Sequence, residues 1–154
     1  MNVKLILLGG LTFWLMTWVV SMVTGPVIHN SILMGDYQAT AGFWRPELMA
    51  VPPDMAALMP RWIATGLFLS FIVAALYGWI RPVVEGHGWV RGVKFGAGVF
   101  LLVAGVMASW TGVFNLPDRL WIWWALEALA VYVIGGAVMA WVADRWAPEA
   151  RASR

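Results

Sequence analysis

Apolar residues run along this chain in four long blocks, and the polar residues gather between them. The first block covers Leu5 to Val23, about 19 residues, enough to cross a hydrocarbon core of ~30 Å. It predicts a helix over about 3–24. Gly25-Pro26 follows, and proline removes a backbone donor and crowds the preceding turn, so a kink or stop is expected there. Weaker apolar character resumes at Val27, Ile28, Ile32, Leu33 and Met34, which suggests a bent interfacial extension to about Gln38. The next blocks predict helices over about 54–81, 89–113 and 118–146. Arg81-Pro82 closes the second, and Pro117-Asp118 suits the start of the fourth.

Between the first two helices lies a stretch that is neither a flexible linker nor a span. Residues 39–60 contain Gly42, Pro46, Pro52, Pro53 and Pro60, yet also Leu48, Met49, Met55, Leu58 and Met59. A segment lying on the bilayer surface or capping the bundle fits this mixture. Together with the extension it forms an outer cap over about 27–60. The pattern defines an all-α, polytopic membrane protein: a single four-transmembrane-helix bundle with a structured outer loop between helices 1 and 2.

Composition agrees. Of 154 residues, 62% are hydrophobic and 12% charged, with a mean hydropathy of +0.77. A soluble domain is roughly 45–50% apolar and about 25% charged. A chain this short has too much surface to hide that excess in a soluble core. The first block is longer than a signal-peptide core and lacks a small-x-small cleavage site, so it is read as retained. The absence of cysteine removes disulfides, thiolate metal sites and thiol nucleophiles. The net charge of +2 and pI near 9.4 come from bases scattered at helix ends, with no patch that would read as nucleic-acid binding.

Charge placement sets the threading. Lys4, Arg81, Arg91, Lys94, Arg145, Arg151 and Arg154 fall on one side, and Arg45, Arg61 and Arg119 on the other. The richer side is expected to be cytoplasmic, with both termini there, in a bacterial inner membrane. Tryptophans divide the same way: Trp79, Trp89, Trp141 and Trp146 form an inner belt. Trp62, Trp110, Trp121, Trp123 and Trp124 form an outer one. Trp14 and Trp18 fit neither.

Glu127 is the sharpest single residue. It is the only acid well inside a span, roughly 10 Å below the outer helix end at about 1.5 Å per residue. A carboxylate at that depth is costly and marks a paired or functional position. His29, at the outer end of helix 1, lies within reach of it, with Asp36 and Tyr37 about two turns further on. Trp44-Arg45-Pro46 forms a corner in which Arg45 can pin the loop through Asp36 or Glu47, or hold an anionic group. His29, Asp36, Tyr37, Arg45 and Glu127 are therefore the candidate polar site. His, Asp and Glu are legitimate metal ligands, but no HExxH or paired-His spacing occurs, so no metal or cofactor is assigned. His87 belongs to a Gly-His-Gly loop on the opposite side and makes a poor haem partner for His29. Ser31 has no third orienting group, and no catalytic residue is assigned.

Glycine placement points to helix packing. Gly92 and Gly96 have GxxxG spacing, and Gly98, Gly105 and Gly112 recur at seven-residue intervals. Such faces admit a neighbouring backbone closely, within the bundle or across a homo-oligomer seam. Gly135-Gly136 marks a second close approach.

The cap residues His29, Leu33, Asp36-Tyr37 and Trp44-Arg45-Pro46, followed by three further helices, resemble a family of small bacterial four-helix membrane proteins. The resemblance implies this fold and topology and transfers no activity. The expected role is a non-enzymatic accessory, scaffold or assembly subunit of a membrane complex, with the lipid bilayer and other membrane proteins as partners. The alternatives are a small proton-coupled transporter using Glu127, and a lipid, quinone or metal binder at the outer face.

Overall fold

The computed structural model describes residues 2–148; Arg151 and Arg154, part of the threading argument, lie outside them. Four helices are long and apolar enough to cross a membrane. They are α1 (Val3–Val27), extended by a π-turn over Ile28–Ile32, then α4 (Met55–Ile80), α5 (Gly88–Trp110) and α6 (Asp118–Trp146). The cap between α1 and α4 holds α2 (Met34–Ala39), a 3-10 turn (Ala41–Phe43) and α3 (Pro46–Met49). No strand occurs among the described residues. The chain is an all-α, multi-pass membrane bundle.

The helices are not arranged in chain order. α1 packs on both α4 and α6, and α6 packs on both α1 and α5. The row therefore runs α4, α1, α6, α5. Side chains join its two outer members at one end, where Tyr77 of α4 meets Phe95 of α5 edge-on, with ring centroids 5.2 Å apart. That end also holds the core of Leu5, Phe13, Val73, Ala74, Tyr77 and Met139, all buried.

Glycine explains the tightest contact. A Cβ on Gly92 would collide with the Gly136 carbonyl oxygen, and one on Gly96 with the Tyr132 carbonyl oxygen. The α5 and α6 backbones thus touch through the GxxxG pair. Gly135 faces α1, where Phe13 fills the space that a side chain would take. Gly98, Gly105 and Gly112 do not share this role. No other helix lies within 4 Å of a Cβ at any of the three, so their seven-residue spacing does not serve packing within the bundle. The reason is angular: this stripe turns away from α6, the one helix against which α5 packs closely. Gly105→Ala is accordingly expected to stabilise the fold by up to about 1 kcal/mol, because alanine lowers the helix entropy cost and meets nothing. The unfolding midpoint in detergent would show it, and a fall in that midpoint would contradict the open face.

Two local expectations need correction. Helix 1 neither stops nor breaks at Pro26. It passes through to Val27 and then widens, with the Leu33 N–H donating to the Ile28 carbonyl (2.8 Å). The Ser31 hydroxyl donates to the Pro26 carbonyl (3.1 Å). The donor that Pro26 lacks would have met the Met22 carbonyl one turn earlier; the turn widens only beyond the proline, within one continuous span. Pro60 sits inside α4, as the expected span of about 54–81 has it. Asp54 caps that helix by accepting from the Ala57 N–H (3.1 Å), so the missing proline donor affects only its exposed beginning. Finally, Trp121 does not belong to a lipid-facing belt. It is buried and packs with Leu33, Leu116 and Leu120 beneath the cap. Trp79, Trp89, Trp110, Trp141 and Trp146 are exposed, as interfacial indoles are. Trp14 and Trp18 pack edge-on against each other, centroids 6.2 Å apart.

Candidate functional site: a hydrogen-bonded chain beneath the outer cap

The widened turn places His29 at the mouth of the α1–α6 contact, and α2 brings Tyr37 back over it. His29 Nδ1 lies 2.8 Å from the Tyr37 hydroxyl, and His29 Nε2 lies 2.8 Å from Glu127 Oε2. The Trp124 indole N–H donates to the Tyr37 oxygen (2.8 Å), and Thr24 Oγ1 lies 2.5 Å from Glu127 Oε1. His29 and Thr24 thus meet the carboxyl group directly, and Tyr37 and Trp124 continue the chain outward from His29. The Glu127 side chain is 14% exposed and that of His29 is 34% exposed, so the imidazole forms the outward edge of a buried acid.

Donor and acceptor chemistry orders the protons. An indole N–H only donates, so the Tyr37 oxygen accepts from Trp124 and is free to give its own proton to His29 Nδ1. With a neutral imidazole, Nε2 then carries the proton and donates to Glu127. Burial raises the Tyr37 phenol above its ordinary value; the Trp124 N–H opposes this, and the Glu127 and Asp36 charges add to it. Tyr37 therefore stays protonated and keeps its place as a donor.

The other oxygen of Glu127 is permissive. The Thr24 hydroxyl has one proton and two acceptors in reach, the Glu127 carboxyl and the Val20 carbonyl (3.1 Å). It can donate to an ionised Glu127. Equally, a protonated Glu127 can donate to Thr24, which turns its own proton to Val20. Both arrangements satisfy every group with the same heavy-atom positions.

An aromatic ring system clamps this chain from above. Trp44 meets Tyr37 and Trp124 edge-on at centroid distances of 5.3 and 5.8 Å, and Trp124 meets Trp121 at 5.4 Å. The Trp44 indole N–H also donates to Thr40 Oγ1 (2.9 Å). Edge-to-face pairs of this kind add about 0.5–1.5 kcal/mol each beyond the area they bury.

The remaining predicted site residues stand apart. Asp36 faces Arg119, with 3.9 Å between charged atoms, and reaches the cluster only through its field on Tyr37. Arg45 pairs with Glu47 at 2.8 Å, and its hydrogen bond holds the Glu47 carboxyl below its ordinary value. That pair is exposed and pins the loop locally. Among the described residues, no three His, Asp or Glu side chains gather in a metal-binding arrangement.

Two sets of residues escaped the sequence reading. Thr24 and Trp124 complete the chain, yet each looks like an ordinary polar-tolerant or belt position; Trp124 stands three residues before Glu127 on one helix face, which could have flagged it, whereas Thr24, five residues before His29, carries no such mark. At the opposite end Asp144 accepts from the Gly88 N–H (2.7 Å) and lies 3.7 Å from Arg81 and 3.6 Å from Arg91. The buried Arg81 guanidinium donates to the Ala147 carbonyl (2.9 Å). Two arginines flanking one inter-helix turn, with an acid near the end of α6, were the available signal. This cluster ties the α4–α5 connection to the end of α6.

No protein-family model matches the chain, and neither a curated protein nor a solved structure is significantly similar to it.

Proposed function

We propose that this chain is a non-enzymatic accessory, scaffold or assembly subunit of a bacterial cytoplasmic-membrane complex, with both termini cytoplasmic and the cap outside. The observation that carries this reading is the uncovered side of α5. Leu101, Leu102, Gly105 and Val106 are exposed and apolar on a helix that packs closely only on α6. His29, Tyr37, Trp124 and Glu127, by contrast, are consumed in internal contacts that hold the cap to α1 and α6. A rigid outer platform and a glycine-lined helix face are what a packing subunit requires. A photocrosslinking residue at Leu102 should yield a discrete protein adduct in cells, whereas one at Leu7 should not. Equal labelling at both positions, together with a free monomer after mild extraction, would overturn the reading.

A second reading is favoured by one observation, the permissive Glu127 carboxyl. A buried acid that holds or releases a proton without moving a heavy atom suits a small proton-coupled transporter, with His29 as its outward contact. There, Glu127→Gln would abolish transport in a protein that still folds.

A further inference from the structure

The inner ends of α5 and α6 carry a feature that neither reading uses. A shallow, wholly apolar groove of about 200 Å³ opens between the two helices, walled by Trp89 and Trp141 and floored by Ala137 and Val138. Both indoles are largely exposed. The groove lies within two spans, so its open side faces the bilayer. Val138, Trp141 and Arg145 follow one another at helical spacing on α6, so Arg145 stands one turn beyond the groove at its headgroup end. Its guanidinium lies 5.7 Å from the Trp146 ring centroid, and Trp146 packs edge-on against Trp141. Among the described residues, Arg145 has no carboxylate partner. The nearest acid in sequence, Asp144, is held by Gly88, Arg81 and Arg91.

From this sequence of surfaces we infer that the α5–α6 groove is a binding site for an anionic phospholipid. An acyl chain lies between Trp89 and Trp141, and the phosphate pairs with Arg145. The chemistry is complementary at each depth: an apolar slot in the hydrocarbon, indoles at the headgroup boundary and a guanidinium in the aqueous edge. Arginine suits the phosphate because its planar fork offers paired donors. The surrounding end adds Lys4 and Lys94 to the positive field, against Glu85.

The test uses the full chain in nanodiscs containing equal amounts of phosphatidylglycerol and phosphatidylethanolamine with identical acyl chains. Native mass spectrometry then reads which lipid stays bound on release. The wild type is expected to retain phosphatidylglycerol preferentially. Arg145→Gln should reduce that preference by about fivefold, the effect of one basic residue at a membrane surface, and Arg145→Lys should keep most of it. Val138→Phe, which fills the groove, should lower retention of both lipids while Arg145 is intact. Equal retention of the two lipids by the wild type, or an unchanged preference in Arg145→Gln, would overturn the assignment. Circular dichroism of each variant separates a lost site from a lost fold.

Discussion

Glu127→Ala is expected to destabilise the protein by about 2–3 kcal/mol, while Glu127→Gln stays within about 1 kcal/mol of the parent. Alanine leaves His29 Nε2 facing a void without a partner and Thr24 Oγ1 with the Val20 carbonyl alone. Glutamine reproduces the protonated carboxyl. Its oxygen accepts from His29, and its amide donates to Thr24, which in turn donates to Val20. Denaturant titration in mixed micelles measures both variants. If glutamine proved as damaging as alanine, the negative charge itself would be the stabilising element, and the two proton arrangements would not be equivalent. The same pair separates the functional readings. A scaffold tolerates Glu127→Gln in its complex, whereas a proton-coupled protein folds with glutamine and loses its activity.

The second large effect lies at the glycine contact. Gly96→Ala should cost about 2 kcal/mol or more, since the new methyl would overlap the Tyr132 carbonyl and force the α5 and α6 backbones apart. Gly92→Ala should behave similarly through the Gly136 carbonyl. The sign is opposite to that expected for Gly105→Ala, although all three changes add one methyl to glycines of the same helix. Thermal midpoints of the three single variants in one detergent provide the comparison. A uniform response would mean that helix propensity, not backbone approach, governs these positions.

These glycines show what could be read before the structure was known and what could not. Apolar windows of this length admit little besides membrane helices, so the four spans emerged from hydropathy alone. Glu127 stood out because an acid is costly in such a window, and His29 because it was the polar group at the matching depth. Which glycine faces which helix was not legible, because spacing gives a face but not its neighbour. Gly92 and Gly98 carry equally suggestive intervals, yet α6 occupies only one of the two directions. Trp121 and Trp124 misled for a related reason. Tryptophan near a helix end is read by depth, while burial is set by whether a cap covers it, and this cap is irregular backbone with no periodicity to announce where it folds. The turn after Pro26 shows the limit most plainly: proline predicts a perturbation, and whether the chain breaks or widens depends on contacts from α6.

The order of helices across the bundle has a consequence for biogenesis. The two central positions belong to the first and last spans, and the flanking positions to the two synthesised in between. When α4 has left the ribosome, α1 has one of its two neighbours. When α5 has followed, it still lacks α6, against which its GxxxG face closes. Until α6 arrives, Phe13 has no Gly135 beside it and His29 has no carboxylate. The last helix to be made must enter between two that are already in the membrane, so the completed bundle is assembled by intercalation and not by successive addition at an edge.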